Sequence, residues 1–157
     1  MTSTPKTYHV KSFGCQMNVY DGERMAELMA AQGMTAAADA DSADLIVLNT
    51  CHIREKATEK VYSDIGRVRK SARLADRAAP MIAVAGCVAQ AEGEEIANRA
   101  KVDIVVGPQA YHNLPELVAQ ASAQGRAIDT DMPAIAKFGA LPARRKTGPT
   151  AFLTVQE

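Results

Sequence analysis

Two apolar runs constrain the fold most. Residues 43–50 read Ala-Asp-Leu-Ile-Val-Leu-Asn-Thr, and residues 81–86 read Met-Ile-Ala-Val-Ala-Gly. Neither alternates apolar with polar positions, as a strand with one wet face would. Continuous runs of this length suit strands buried on both faces of a parallel sheet. Residues 8–13 and 102–106 form two further runs, the second closed by the turn signal Gly107-Pro108. Residues 127–130 read as a short edge strand.

Helical periodicity follows each strand. Residues 21–32 place Met25, Leu28 and Met29 on one face, a core stripe, with Gly33 as a C-terminal cap. The longest candidate, residues 53–75, carries Ile53, Ala57, Val61, Ile65, Val68 and Ala72 at steps of three or four. Residues 92–99 turn Ile96 and Ala97 inward with Ala100, and residues 114–124 present Leu114, Leu117, Val118 and Ala121 before Gly125. Strands alternating with helices predict a Rossmann-like three-layer α/β domain over residues 1–130, with a mostly parallel sheet of four to five strands. From residue 131 on, Pro and Ala dominate and Arg144-Arg145-Lys146-Thr147-Gly148-Pro149 reads as an exposed linker. Residues 151–155 look like the start of a strand with nothing after it, as in a chain cut from a longer protein.

Composition removes several classes. The chain of 157 residues has 18 Lys and Arg against 18 Asp and Glu. Zero net charge argues against a free-standing nucleic-acid binder, which needs a basic excess to neutralise phosphates. Trp is absent and Phe and Tyr together number seven, too few rings for a base-stacking platform. The longest uncharged stretch, residues 78–91, is 14 residues and contains Pro80 and Gly86, too short and interrupted to span a bilayer. No apolar segment follows the N-terminus, so no export signal is visible and a cytoplasmic location is expected.

The three cysteines, Cys15, Cys51 and Cys87, are separated by two equal intervals of 36 residues. Each closes a strand and opens a strand-to-helix loop. Such loops lie at the carboxyl edge of an open α/β sheet, where ligands bind, so three distant residues can meet there. Gly14 and Gly86 precede two of them, and glycine lets the backbone turn sharply beside a bulky group. Asn49 and Thr50 precede the third, small polar residues able to hydrogen-bond thiolates or cap a helix. The partial positive charge of a helix start favours thiolates and an anionic metal centre. Three converging thiolates suit an iron–sulfur cluster and leave one iron with an open position.

Other readings stand beside this one. Cysteine is often a small buried hydrophobe, so all three could be core. A Cys3His zinc site would add His52, although neighbouring side chains on a turn tend to diverge. His9 and His112 read as structural. Between Arg54 and Arg77, eight Lys or Arg face four Asp or Glu. A basic helix end complements its own dipole; contact with an RNA backbone is the sharper alternative.

Three blocks carry a resemblance. Phe13-Gly14-Cys15-Gln16-Met17-Asn18, then Asn49-Thr50-Cys51-His52-Ile53-Arg54-Glu55-Lys56-Ala57, then Gly86-Cys87-Val88-Ala89-Gln90 resemble the signature blocks of the radical S-adenosylmethionine methylthiotransferase N-terminal domain. The resemblance runs through nearly the whole chain, including Gly148-Pro149-Thr150-Ala151-Phe152. It is nearest the branch that installs a 2-methylthio group on N6-dimethylallyladenosine next to the tRNA anticodon. It implies that Cys15, Cys51 and Cys87 hold an auxiliary 4Fe-4S cluster that delivers sulfur; Gly14, Asn18, Asn49, Thr50 and Gly86, near the cysteines in sequence, are the candidate residues around it. It also implies tRNA as partner, with S-adenosylmethionine and a second 4Fe-4S cluster in a central domain, and it leaves the sulfur donor unassigned. That second cluster sits on a Cys-x-x-x-Cys-x-x-Cys loop, which this chain lacks. By the resemblance the chain is an N-terminal fragment, inactive alone, with residues 131–157 leading towards the radical domain. A sister branch (threonylcarbamoyladenosine in tRNA, or a ribosomal-protein aspartate) and a non-enzymatic α/β binding module with structural cysteines are the competing readings.

Overall fold

In the computed structural model, which describes residues 4–14, 16–50 and 55–130, strand and helix alternate. The elements are β1 (Thr7–Ser12), α1 (Gln16–Ala31), β2 (Thr35–Ala36), β3 (Leu45–Thr50), α2 (Glu55–Leu74), β4 (Met81–Gly86), α3 (Cys87–Arg99), β5 (Ile104–Val106), α4 (Leu114–Gln124) and β6 (Ala127–Asp129). The strands form one sheet in the order β2-β1-β3-β4-β5-β6, and every neighbouring pair is parallel. The Rossmann-like α/β reading holds.

β3 and β4 are buried at every position, as their continuous apolar runs predict. Alternate residues face opposite ways. Leu45, Val47, Met81, Ala83, Ala85, Ile104 and Val106 pack with Met25 and Met29 of α1 and with Leu114, Leu117, Val118 and Ala121 of α4. Ile46, Leu48, Ile82, Val84 and Val105 pack with Val61, Ile65 and Val68 of α2 and with Val88, Ile96 and Ala97 of α3. Three layers result; the stripes expected on α1 and α4 are buried, as are Val61, Ile65, Val68 and Ala72 of the one expected on α2. Ile53 lies outside the described residues. Among the described residues, no helix is long and apolar enough to cross a membrane.

Several boundaries differ from expectation. The sheet has six strands rather than four to five, because β2 is a two-residue pairing of exposed positions with no readable pattern. Helix α1 starts at Gln16 rather than at residue 21. Its early buried side chains include the polar Asn18 and Asp21, so no apolar stripe marks them. Helix α3 begins at Cys87 rather than at residue 92; Glu92 is a kink, with φ −129° and ψ 22°. Strand β5 loses residues 102 and 103, where the Asp103 carboxylate accepts the Ile82 amide at 2.9 Å. The proposed linker and the strand at 151–155 lie outside the described residues, as do Cys15, Cys51 and His52.

Candidate metal centre

The strand order places a topological switch point between β1 and β3. From β1 the chain passes to β2 on one side of it and then to β3 on the other, and ligands bind outside the carboxyl ends of strands at such a point. β1 and β3 end in register, Ser12 opposite Asn49; β3 and β4 end in register, Thr50 opposite Gly86. Neighbouring strands lie about 4.8 Å apart, so these three ends form a row roughly 10 Å wide. In the sequence, Thr50 is followed directly by Cys51, Gly86 by Cys87, and Ser12 after two residues by Cys15.

Cys87 is the cysteine that the structure describes. It opens α3 and is exposed, which takes it out of the core. Gly86 caps the helix with φ 94° and ψ −160°, and no side chain caps the α3 amides from that position. A Cβ at Gly86 would run into the carbonyl oxygen of Thr50 and sit 3.0 Å from Asn49 Oδ1. The close approach of β3 and β4 at this edge therefore requires glycine. Gly14 also has a positive φ, 103°, as its place before Cys15 predicts.

The expected polar neighbours are here too. Asn18, Asn49 and Thr50 are all buried. Thr50 Oγ1 donates to Ala85 O at 2.6 Å, tying the end of β3 to the end of β4. Asn49 Nδ2 donates to Asn18 O at 2.5 Å, and Asn18 Nδ2 donates to Phe13 O at 2.6 Å. The Phe13 amide donates to Asn49 O at 2.8 Å. Two partners were not anticipated. Ser12 Oγ donates to Asn18 O at 3.2 Å, and Gly22 in α1 lies where a Cβ would meet Ser12 Oγ. A glycine inside a helix, at some cost to that helix, was the available signal.

His9 lies in β1, and His112 lies in the turn Tyr111–Asn113 before α4. Neither is in the row of strand ends. The basic end of α2 is also elsewhere, because a helix returning from β3 to β4 ends at the opposite edge of the sheet. There Arg69 donates to Ala100 O at 2.5 Å and to Lys101 O at 2.7 Å, closing the end of α3; midway along α2, Arg67 pairs with Asp64 at 2.8 Å.

Residues 7–107, from the start of β1 to the glycine closing β5, match the model of a family described as uncharacterized protein family UPF0004. The chain belongs to the UPF0004 family. The matched segment contains all three cysteines and all three sequence blocks. A Novosphingobium aromaticivorans protein is 74% identical to this chain over 157 residues. One from Sphingopyxis alaskensis is 68% identical over 158 residues, and one from Erythrobacter litoralis 66% over 157. Each is named tRNA-2-methylthio-N(6)-dimethylallyladenosine synthase, and each match covers 99% of this chain. The chain spans 34% to 35% of the length of these relatives. The resemblance drawn from the three blocks stands.

A cysteine thiol is the donor type that an iron–sulfur cluster takes. The described residues offer one such donor, the exposed Cys87 thiol at the start of α3. Among the described residues there is no group of three metal-ligating side chains, and two of the three cysteines lie outside them.

Proposed function

We propose that this chain is the cluster-holding N-terminal part of an enzyme that installs a 2-methylthio group on N6-dimethylallyladenosine in tRNA. Cys15, Cys51 and Cys87 hold a 4Fe-4S cluster. The observation carrying this reading is the row of strand ends at the switch point, in register across β1, β3 and β4, with an exposed Cys87 beside it. The substrate branch follows the shared name of the relatives at 66% to 74% identity.

A cluster held by three cysteines would keep one iron open to a sulfur-bearing ligand. This chain's residues do the holding. Gly86 turns the backbone so that Cys87 starts α3, where the helix dipole favours the negative charge of thiolates. Thr50 locks β3 to β4 between two of the cysteine-bearing segments. The radical-generating cluster and S-adenosylmethionine that the family resemblance implies would sit on a Cys-x-x-x-Cys-x-x-Cys loop, which these three cysteines do not form. Residues 131–157 lead towards the radical domain, and tRNA is the partner of the whole enzyme.

Anaerobic reconstitution of the 157-residue chain with iron and sulfide tests the assignment. The expected product is brown, with about four irons per chain. Each of Cys15→Ala, Cys51→Ala and Cys87→Ala abolishes the cluster or makes it labile. A colourless product that takes up no iron would leave the binding-module reading in place.

A further inference from the structure

We infer that Asn49 is a positioning residue for the three-cysteine edge: one buried amide, two residues before Cys51, that ties the end of β3 to the residues flanking Cys15 and sits beside the residue before Cys87. The inference rests on the cluster assignment above.

Asn49 is 1% exposed. Its backbone carbonyl accepts from Phe13 N, and its side-chain Nδ2 faces Asn18 O at 2.5 Å and Ser12 Oγ at 3.5 Å. One residue thus grips both arms of the chain between Ser12 and Asn18, within which Cys15 falls in the sequence. Asn18 closes the same loop from the inside, through Phe13 O. On its other side Asn49 Oδ1 lies 3.0 Å from where a Cβ at Gly86, the residue before Cys87, would sit. Asn49 is itself two residues before Cys51.

Stability alone does not call for this arrangement. A buried polar group gains little net stability from its hydrogen bonds and costs free energy when a bond is missing. An apolar residue would serve packing at the end of β3 as well. What an amide adds is direction, because its N–H groups must point at Asn18 O and Ser12 Oγ. A carboxylate could not donate to either. Hydrogen-bonded residues behind metal ligands act in this way, and losing one commonly costs 10- to 100-fold in metal affinity.

The experiment loads the 157-residue chain with iron and sulfide under anaerobic conditions and follows iron loss to a ferrous chelator. Asn49→Ala and Asn49→Asp are expected to lose iron at least about tenfold faster than wild type. Asn18→Ala, which keeps Asn49, is expected to lose it several-fold faster. Asp44→Ala is the control. Its carboxylate bonds the Lys6 and Thr7 amides at the opposite edge of the sheet, so it lowers stability but keeps the wild-type rate of iron loss. If Asn49→Ala does not fold, the isosteric Asn49→Asp, which removes only the donor, decides. Wild-type rates in the Asn49 and Asn18 variants overturn the inference while the cluster assignment stands, and so does an Asp44→Ala rate matching Asn49→Ala. A wild-type chain that binds no iron overturns both.

Discussion

Replacing Gly86 by alanine perturbs the candidate site through the backbone alone. At φ 94° and ψ −160° the residue occupies a region that is essentially reserved for glycine. Holding another residue there costs roughly 1–3 kcal/mol. The added Cβ also meets the Thr50 carbonyl oxygen, a backbone atom that cannot swing aside. Relieving that collision separates the Thr50–Gly86 pair and weakens the bond from Thr50 Oγ1 to Ala85 O, about 1 kcal/mol for each hydrogen bond lost. The sum is about 3–5 kcal/mol, a large part of the roughly 5–15 kcal/mol that holds a domain together. Gly125→Ala is the internal reference. Its φ of 89° is also positive, but nothing lies within 4 Å of its Cβ position. Only the left-handed strain applies there, about 1–2 kcal/mol. Urea unfolding of the reduced chain, followed by far-ultraviolet circular dichroism, separates the two. With a slope of about 2 kcal/mol per molar urea, Gly86→Ala should lower the midpoint by about 1.5–2.5 M. Gly125→Ala should lower it by less than about 1 M. Equal shifts would refute the close approach of β3 and β4 at this edge.

Two further predictions concern the opposite edge. Burial pushes the Asp44 carboxyl up, but the Lys6 and Thr7 amides, the Thr7 hydroxyl and the charge of Arg77 outweigh it and hold it below its ordinary value. Its contribution is therefore present above the unfolded carboxylate value, about pH 3.9, and is lost as pH falls through the lowered folded value. Asp44→Asn should cost about 1 kcal/mol or less near neutrality, since solvent screens this exposed group. The difference from wild type should shrink in urea titrations as pH falls below the unfolded carboxylate value; a difference that grows as pH falls would contradict the sign. Arg69→Ala should cost about 1–2 kcal/mol, because two carbonyls at the end of α3 lose a charged donor. Arg69→Lys should recover less than half of that in the same titration, since an ammonium cannot reproduce the fork.

Legibility in the sequence followed burial. β3 and β4 were readable because both of their faces are covered, which leaves an unbroken apolar run. The helix stripes of Met25 and Met29, or Val61, Ile65 and Val68, were readable because each packs one face on the sheet. β2 was not, since two exposed residues held by backbone pairing leave no side-chain signature. The first turn of α1 and the start of α3 were hidden for a related reason. Their residues serve the carboxyl edge rather than the core, with Asn18 bonded to Phe13 O and Cys87 exposed. The same logic made the site partly legible. Gly14 and Gly86 stood out as glycines before cysteines, and both have positive φ. Asn49 and Thr50 stood out as polar residues where a strand should end. Ser12 and Gly22 did not, because the contact between them joins two elements whose packing no local pattern records.

The most direct test of the central claim is the position of the sulfurs themselves. An anaerobic crystal structure of the iron-loaded chain, phased on iron anomalous scattering, should place one compact iron centre beyond the ends of β1, β3 and β4, ligated by Cys15, Cys51 and Cys87 together. Sulfurs at 15 and 51 directed away from Cys87, with no iron between them, would contradict the account.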